Sequence, residues 1–214
     1  ILECFLFEIK DGKLTLTASD NTNMMNCTMD LIEYDSDGSF CVPNRIMLTS
    51  VKELAEQPIV FDVNLEDNSI KMNYMNGSYR IFGQSANEYP RMKGLEGEAT
   101  STVLPSEVLI NNINRTLFAT AQDELRMVMN GLYFDLKEDY MAIVASDGHK
   151  LVRNRIYGCK TETPASFILP KKPATLLRTV LAADGSDVTI RFNQSNAEVI
   201  YNDGMLSCRL IEGK

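Results

Sequence analysis

The 214-residue sequence predicts an α+β protein of repeated domains, each with two helices packed on antiparallel sheets. Three features predict it. The chain repeats itself at an offset of 127 residues. Short alternating apolar runs end at turn residues, as in antiparallel strands. Isolated amphipathic helices interrupt those runs, where regular βαβ winding would alternate them one for one.

The repeat is gapless over two stretches. Residues 5–20 read FLFEIKDGKLTLTASD, and residues 132–147 read LYFDLKEDYMAIVASD. Phe7 meets Phe134, Lys10 meets Lys137, and Ala18-Ser19-Asp20 meets Ala145-Ser146-Asp147. The same offset lays Phe40-Cys41-Val42-Pro43 on Phe167-Ile168-Leu169-Pro170 and Asn76-Gly77 on Asp203-Gly204, both hairpin-turn dipeptides. The period is too long for a solenoid unit, so each copy is a whole domain. Residues 100–127 have no counterpart, because their partners would precede Ile1. The first copy is therefore expected to lack an opening strand and helix.

The elements follow in order along the second copy. Ser101–Leu104 reads as a short strand. Pro105 opens a helix, tolerated in its first turn, with Val108, Leu109, Ile110, Ile113, Leu117 and Phe118 at helical spacing. Arg126–Asn130, Leu132–Leu136 and Tyr140–Ser146 read as strands, the last two joined by a Lys137-Glu138-Asp139 turn. After a loop over Thr161–Pro164 come a strand at Ser166–Leu169 and a helix over Pro170–Ala182. Strands at Val188–Phe192, Glu198–Tyr201 and Met205–Ile211 close the copy. Each copy is thus two similar halves of strand, helix and three strands. Residues 84–100 lack apolar periodicity and hold Pro90, Gly94 and Gly97, so they read as a linker. The expected domains are 1–97, including that linker, and 98–214.

Composition narrows the function. Charged residues at 23% fit a globular protein, and no apolar stretch reaches the eighteen residues of a membrane span. The five cysteines are widely spaced without a C-x-x-C, which argues against a zinc site or disulfide framework and for a reducing, cytoplasmic compartment. No metal or other cofactor is expected. N-x-S/T triplets begin at Asn26, Asn76, Asn114 and Asn193. They would suit a secreted adhesion module but read here as accidents of an Asn-rich chain. The net charge of −8 speaks against nucleic acid unless positive charge is concentrated locally.

Ser146, Asp147 and His149 suggest a hydrolase, His149 being the only histidine. Against this, the three are too close in sequence to adopt triad geometry easily, and no G-x-S-x-G elbow is present. The first copy also keeps Ser19-Asp20 with no histidine nearby. A pair shared by both copies is explained by turn formation. The copies differ just beyond it: Asn21-Thr22-Asn23-Met24 in the first, Gly148-His149-Lys150-Leu151 in the second. A function specific to the second copy should sit there.

The stretch Ala145-Ser146-Asp147-Gly148-His149-Lys150-Leu151, the turn Leu169-Pro170-Lys171-Lys172 and the run Leu125–Gly131 together resemble the bacterial DNA polymerase III beta subunit, the sliding clamp family. The resemblance implies the DNA clamp fold: two helices per domain lining a central hole, antiparallel sheets outside, and two three-domain chains closing head to tail. A third domain would then be absent from this chain. It implies a non-catalytic processivity factor that encircles double-stranded DNA without reading its sequence. Its partners would be the replicative polymerase, the clamp loader and other proteins carrying a clamp-binding motif, with a homodimer at full length. By resemblance Met129, Ser146, Gly148, His149, Lys150 and Leu151 form a pocket for a peptide with Leu and Phe anchors. Lys150 stands where the family often has Arg, and Ser146 where it often has Thr. Without the resemblance, Met129 and Leu151 read as ordinary core residues. The resemblance also makes the Tyr79–Phe82 strand, with Tyr79 and Ile81, a subunit edge.

Charge placement is compatible with DNA. The helix segments at 43–55, 105–118 and 170–182 together carry +4, which leaves −12 on the remainder. A neutral-to-basic lining within an acidic body would hold phosphates loosely and permit sliding. Arg45, Arg115, Lys171, Lys172 and Arg178 are the expected DNA-facing residues, Lys171 and Lys172 foremost because they match basic family positions.

Overall fold

Alternating burial along the strands builds most of this chain, as over Asp187–Phe192, where Val188, Ile190 and Phe192 point inward. The computed structural model describes all residues except Met92, Lys93, Asp123, Lys160, Glu162 and Lys214. It divides into two compact units, Ile1–Met92 and Lys93–Lys214.

The first unit contains β1 (Cys4–Lys10), β2 (Lys13–Ser19), β3 (Asn23–Asp30), β4 (Gly38–Pro43), α1 (Asn44–Lys52), β5 (Val60–Asn64), β6 (Ser69–Tyr74), β7 (Gly77–Phe82) and β8 (Gln84–Ser85). Strands in the order β8-β4-β1-β2-β3 form one antiparallel sheet, and β5-β6-β7 form another. Phe7, Leu14, Phe40 and Val42 of the first meet Ile70 and Ile81 of the second in the core. The Phe7 and Phe40 rings stack at 5.2 Å. Each such buried side chain contributes roughly 1.5–3 kcal/mol.

The second unit contains β9 (Thr100–Pro105), α2 (Ser106–Thr116), β10 (Gly131–Leu136), β11 (Tyr140–Ser146), β12 (Leu151–Tyr157), β13 (Ala165–Pro170), α3 (Lys171–Val180), β14 (Asp187–Phe192), β15 (Asn196–Tyr201) and β16 (Gly204–Arg209). Its sheets run β12-β11-β10-β13 and β16-β15-β14-β9. Helix α2 packs on β9, β11 and β12, α3 packs on β10, β13 and β16, and the two helices touch each other. Phe134, Phe167 and Phe192 form a buried ring stack with centroid separations of 4.6 and 4.3 Å.

The 127-residue offset extends to strand pairing. Leu6 faces Thr17 in the first unit, and Tyr133 faces Val144 in the second. Cys4 faces Pro43, and Gly131 faces Pro170. All three helices start after a proline with no side-chain cap. Their first N–H groups bond neighbouring carbonyls instead: Asn44 to Glu3 at 2.8 Å, Lys171 to Asn130 at 3.0 Å, and Ser106 to Ser186 at 2.7 Å. These bonds satisfy donors that a helix start otherwise leaves orphaned.

Three expectations are corrected. Arg126–Asn130 is not a strand: Glu124–Met129 forms 3-10 turns broken at Arg126. The bonds Ala121 N–H to Met129 O and Asn130 N–H to Met127 O close its backbone locally, at 2.8 and 2.9 Å. The third strand of that half is β12, whose outward arginines hide its period. Residues 84–89 are not linker but part of the first unit. β8 pairs with β4, and buried Tyr89 donates its hydroxyl to the Thr17 carbonyl at 3.2 Å. The remainder of the expected linker includes Met92 and Lys93, which lie outside the described residues, as does Glu162 of the expected 161–164 loop. Among the described residues no helix is long and apolar enough to cross a membrane, and the five cysteines are free thiols.

Candidate functional site

The Ser-Asp pair builds the same turn twice. In the second unit Ser146 donates its hydroxyl to the Lys150 carbonyl at 2.9 Å and accepts the Gly148 N–H at 3.1 Å. Asp147 Oδ1 accepts the N–H groups of His149 and Lys150 at 3.0 and 2.9 Å. In the first unit Ser19 donates to the Asn23 carbonyl at 3.2 Å and accepts the Asn21 N–H at 3.3 Å. Asp20 Oδ1 accepts the N–H groups of Thr22 and Asn23 at 3.0 and 2.7 Å. Asn21 and Gly148 hold the same left-handed position, φ +76° and +88°.

This geometry removes the hydrolase reading. The single Ser146 proton is directed at a backbone carbonyl, not at an imidazole base. Asp147 grips Lys150, whose ammonium touches Oδ2. That ammonium, then the Lys150 and His149 N–H groups, hold the carboxyl well below the usual carboxylate range. Among the described residues no His, Cys, Asp and Glu cluster could hold a metal ion.

Beside the turn lies a cleft of about 480 Å³, lined by Phe118, Thr120, Ala121, Gln122, Arg126, Asp147, His149 and Lys150. Of the expected pocket residues, His149 and Lys150 line it directly. Gly148 is next to it, under the Arg126 guanidinium: a Cβ there would lie 2.8 Å from Nη1. Ser146 holds the turn. Leu151, next after Lys150 in the chain, is not among the lining residues and is 68% exposed, which rules out a core role for it. Met129 is half-buried and not among the lining residues. A larger cleft, about 730 Å³, is lined by Glu96, Glu98 and Asn193 among others and contains none of the expected residues.

Sequence reasoning missed Phe118, Gln122 and Arg126. Phe118 was expected on the apolar face of the helix. However, α2 ends at Thr116 and the chain tightens into a 3-10 turn over Leu117–Ala119. The change of period buries Leu117 and turns Phe118 outward at 65% exposure. Arg126 sits in the run read as a strand.

Arg45, Arg115, Lys172 and Arg178 are exposed and Lys171 is half-buried, while Leu109, Ile113, Ala174 and Leu177 anchor α2 and α3 inward. Lys171 and Lys172 occupy the first turn of α3, with no acid there. Cations at that end oppose the helix dipole and cost about 0.3–1 kcal/mol each.

The β7 edge needs one correction. Ile81 is 3% exposed and belongs to the core of the first unit, so its side chain is not an interface group. Ile81 faces Ile70 and Tyr79 faces Met72, both buried residues of β6, which places the pair on the inward side. Tyr79 stays 45% exposed at the sheet end, stacked on Tyr74 at 5.6 Å. On the opposite face of the strand Phe82 is 67% exposed.

Comparison with known proteins gives a consistent result. Residues 103–214 match the central-domain model of the DNA polymerase III beta subunit, and residues 1–93 match its N-terminal-domain model. The chain is 26% identical over 208 residues to the beta sliding clamp of Synechococcus elongatus, covering 94% of this chain and 54% of that protein. It is 24% identical over 214 residues to that of Haemophilus influenzae, covering 100% and 58%. The DNA polymerase III subunit beta structure from Pseudomonas aeruginosa superposes with a TM-score of 0.92 at 22% identity, covering 100% of this chain and 58% of that one. A sliding clamp from the same organism solved bound to griselimycin superposes at 0.91 with 22% identity, covering 100% and 57%. The chain spans a little over half the length of the curated relatives it matches.

Proposed function

Because the chain belongs to the DNA polymerase III beta subunit family, we propose that it works as part of a sliding clamp, a non-catalytic subunit that encircles duplex DNA and tethers replication enzymes. The observation that carries this reading is the match of both units, in order, to consecutive domains of that family. In this reading α1, α2 and α3 face DNA through Arg45, Arg115, Lys171, Lys172 and Arg178, holding phosphates without reading bases. The two lysines in the first turn of α3, where the sequence places no acid, support this assignment. Free thiols support a reducing, cytoplasmic setting. The open edge β7, with Tyr79 and Phe82, would face another subunit of a homodimeric ring.

The cleft at His149 and Lys150, with Gly148, Leu151, Ser146 and Met129 around it, would take the linear segment of the replicative polymerase, clamp loader or other partner. Its support is local. The same turn is built in both units, but in the second it borders a cleft that also holds Phe118 and Arg126, and Leu151 stands exposed directly after Lys150 of its lining. Leu and Phe anchors would find apolar surface at Phe118 and Leu151 and carry most of the binding energy. Related clamps with this fold solved with griselimycin are consistent with a ligand-accepting surface in the family.

Fluorescence anisotropy with a labelled peptide ending in Leu-Phe tests the cleft. The protein is expected to bind it, and Leu151→Asp is expected to weaken binding about tenfold or more, because a charge replaces apolar contact. Equal affinity for the variant would remove the cleft assignment.

A further inference from the structure

The outward face of the sheet containing β12 and β11 carries a row of side chains that the cleft does not use. In β12, Leu151, Arg153, Arg155 and Tyr157 are exposed, whereas the alternate residues Val152, Asn154 and Ile156 are more buried, on the side where α2 packs. Tyr157 is 71% exposed. The two guanidiniums are held by aromatic rings. Arg155 lies over the Tyr140 ring at 5.1 Å and also bonds the Tyr157 phenol, and Arg153 donates to the Tyr140 hydroxyl at 3.5 Å. Among the described residues neither arginine forms an ion pair with a carboxylate. Of the nearby acids, Asp135 is held by Lys137 at 3.0 Å, and Asp139 acts on Arg155 only through its field. On a chain of net charge −8, this is a local pair of guanidiniums held by tyrosines and, among the described residues, not paired with a carboxylate. The ring contact of Arg155 and the hydroxyl contact of Arg153 restrict their rotamers before any ligand arrives, which lowers the ordering cost of binding.

The row begins at Leu151, directly after Lys150 of the cleft lining. Alternate residues of a strand stand about 6.7 Å apart, the same repeat an extended peptide presents. A segment leaving the cleft along β12 would therefore offer every second side chain to Arg153 and Arg155. Charge complementarity selects acids at those positions. A nucleic-acid strand is the poorer fit to a chain of net charge −8, and Arg155 already takes one face of the Tyr140 ring on which a base would stack.

We propose that Arg153 and Arg155 form a recognition site for acidic residues, in an acid-x-acid pattern, that flank the anchor segment of partner peptides. The proposal rests on the cleft being the peptide site.

The test uses three fluorescein-labelled peptides: one with the Leu-Phe anchors alone, and two with Glu-Ser-Glu spliced before or after them. One extended peptide is expected to bind about fivefold tighter than the bare one at low salt, with the gain lost near 0.5 M salt. The double variant Arg153→Glu, Arg155→Glu should keep bare-peptide affinity and lose the gain. Arg153→Gln with Arg155→Gln, which removes charge without reversing it, should lose the gain too. No gain from either extension, or a gain that survives both double variants, overturns the proposal while leaving the cleft intact. Failure of the bare peptide to bind the unaltered protein overturns the cleft reading and the proposal together. A labelled dT oligonucleotide that binds and loses affinity in the double variants, with no preference among peptides, overturns it in favour of a nucleic-acid strand.

Discussion

Gly148 holds φ at +88° while its first-unit counterpart Asn21 holds +76°, and the surrounding hydrogen bonds are the same in both turns. The left-handed position is thus a demand of the turn, and only secondarily a matter of room for a ligand. Asn is one of the few residues with a side chain that tolerates it. Gly148→Ala is expected to destabilise the protein by about 1–2 kcal/mol, and Gly148→Asn by clearly less. The added Cβ would also push Arg126 from its place over the turn. Urea denaturation of the two variants provides the check: equal losses for Ala and Asn would contradict the shared-turn account. The nearby Leu151 shows what a sequence leaves open at this scale. Its neighbours in the chain fit either a core position or an exposed one, and the decision came from which face of β12 packs on α2.

At the scale of elements, the helix starts were the most legible feature. Leu-Pro followed by helix formers marked α2 and α3, and Phe40–Pro43 marked α1 through the repeat. The shared backbone anchor of each start could not be seen, because it joins residues such as Lys171 and Asn130 across strands. β12 was overlooked for a physical reason: alternation is recognised by apolar residues, and its outward positions hold arginines. The 3-10 segment over Glu124–Met129 misled in the opposite way. Leu125 and Met127 have the hydrophobicity of strand residues, yet they stand 92% and 65% exposed. For α3, the two first-turn lysines stand at the end of the helix where the dipole favours acids. Lys171→Glu with Lys172→Glu is expected to make assembled rings lose DNA retention. The salt slope of retention should fall by about 0.9 for each phosphate contact removed. Unchanged retention at low salt would withdraw these lysines from the DNA-facing surface.

For the molecule as a whole, charge and repetition carry the account. A net −8 would ordinarily argue against DNA, but the helix segments hold +4 and the acid lies elsewhere. The 127-residue offset is visible in one sixteen-residue stretch and two short matches, and four strand pairings keep it, whereas β14 pairs with β15 two residues away from the register of β5 with β6. In the proposed ring, topology would replace affinity in holding DNA. The most direct measurement compares retention of the protein, at its full native length and loaded by its clamp loader, on nicked circular duplex DNA before and after a single restriction cut. Loss of the protein on linearisation, independent of DNA sequence, is the predicted result. Equal retention on linear and circular DNA would contradict encirclement.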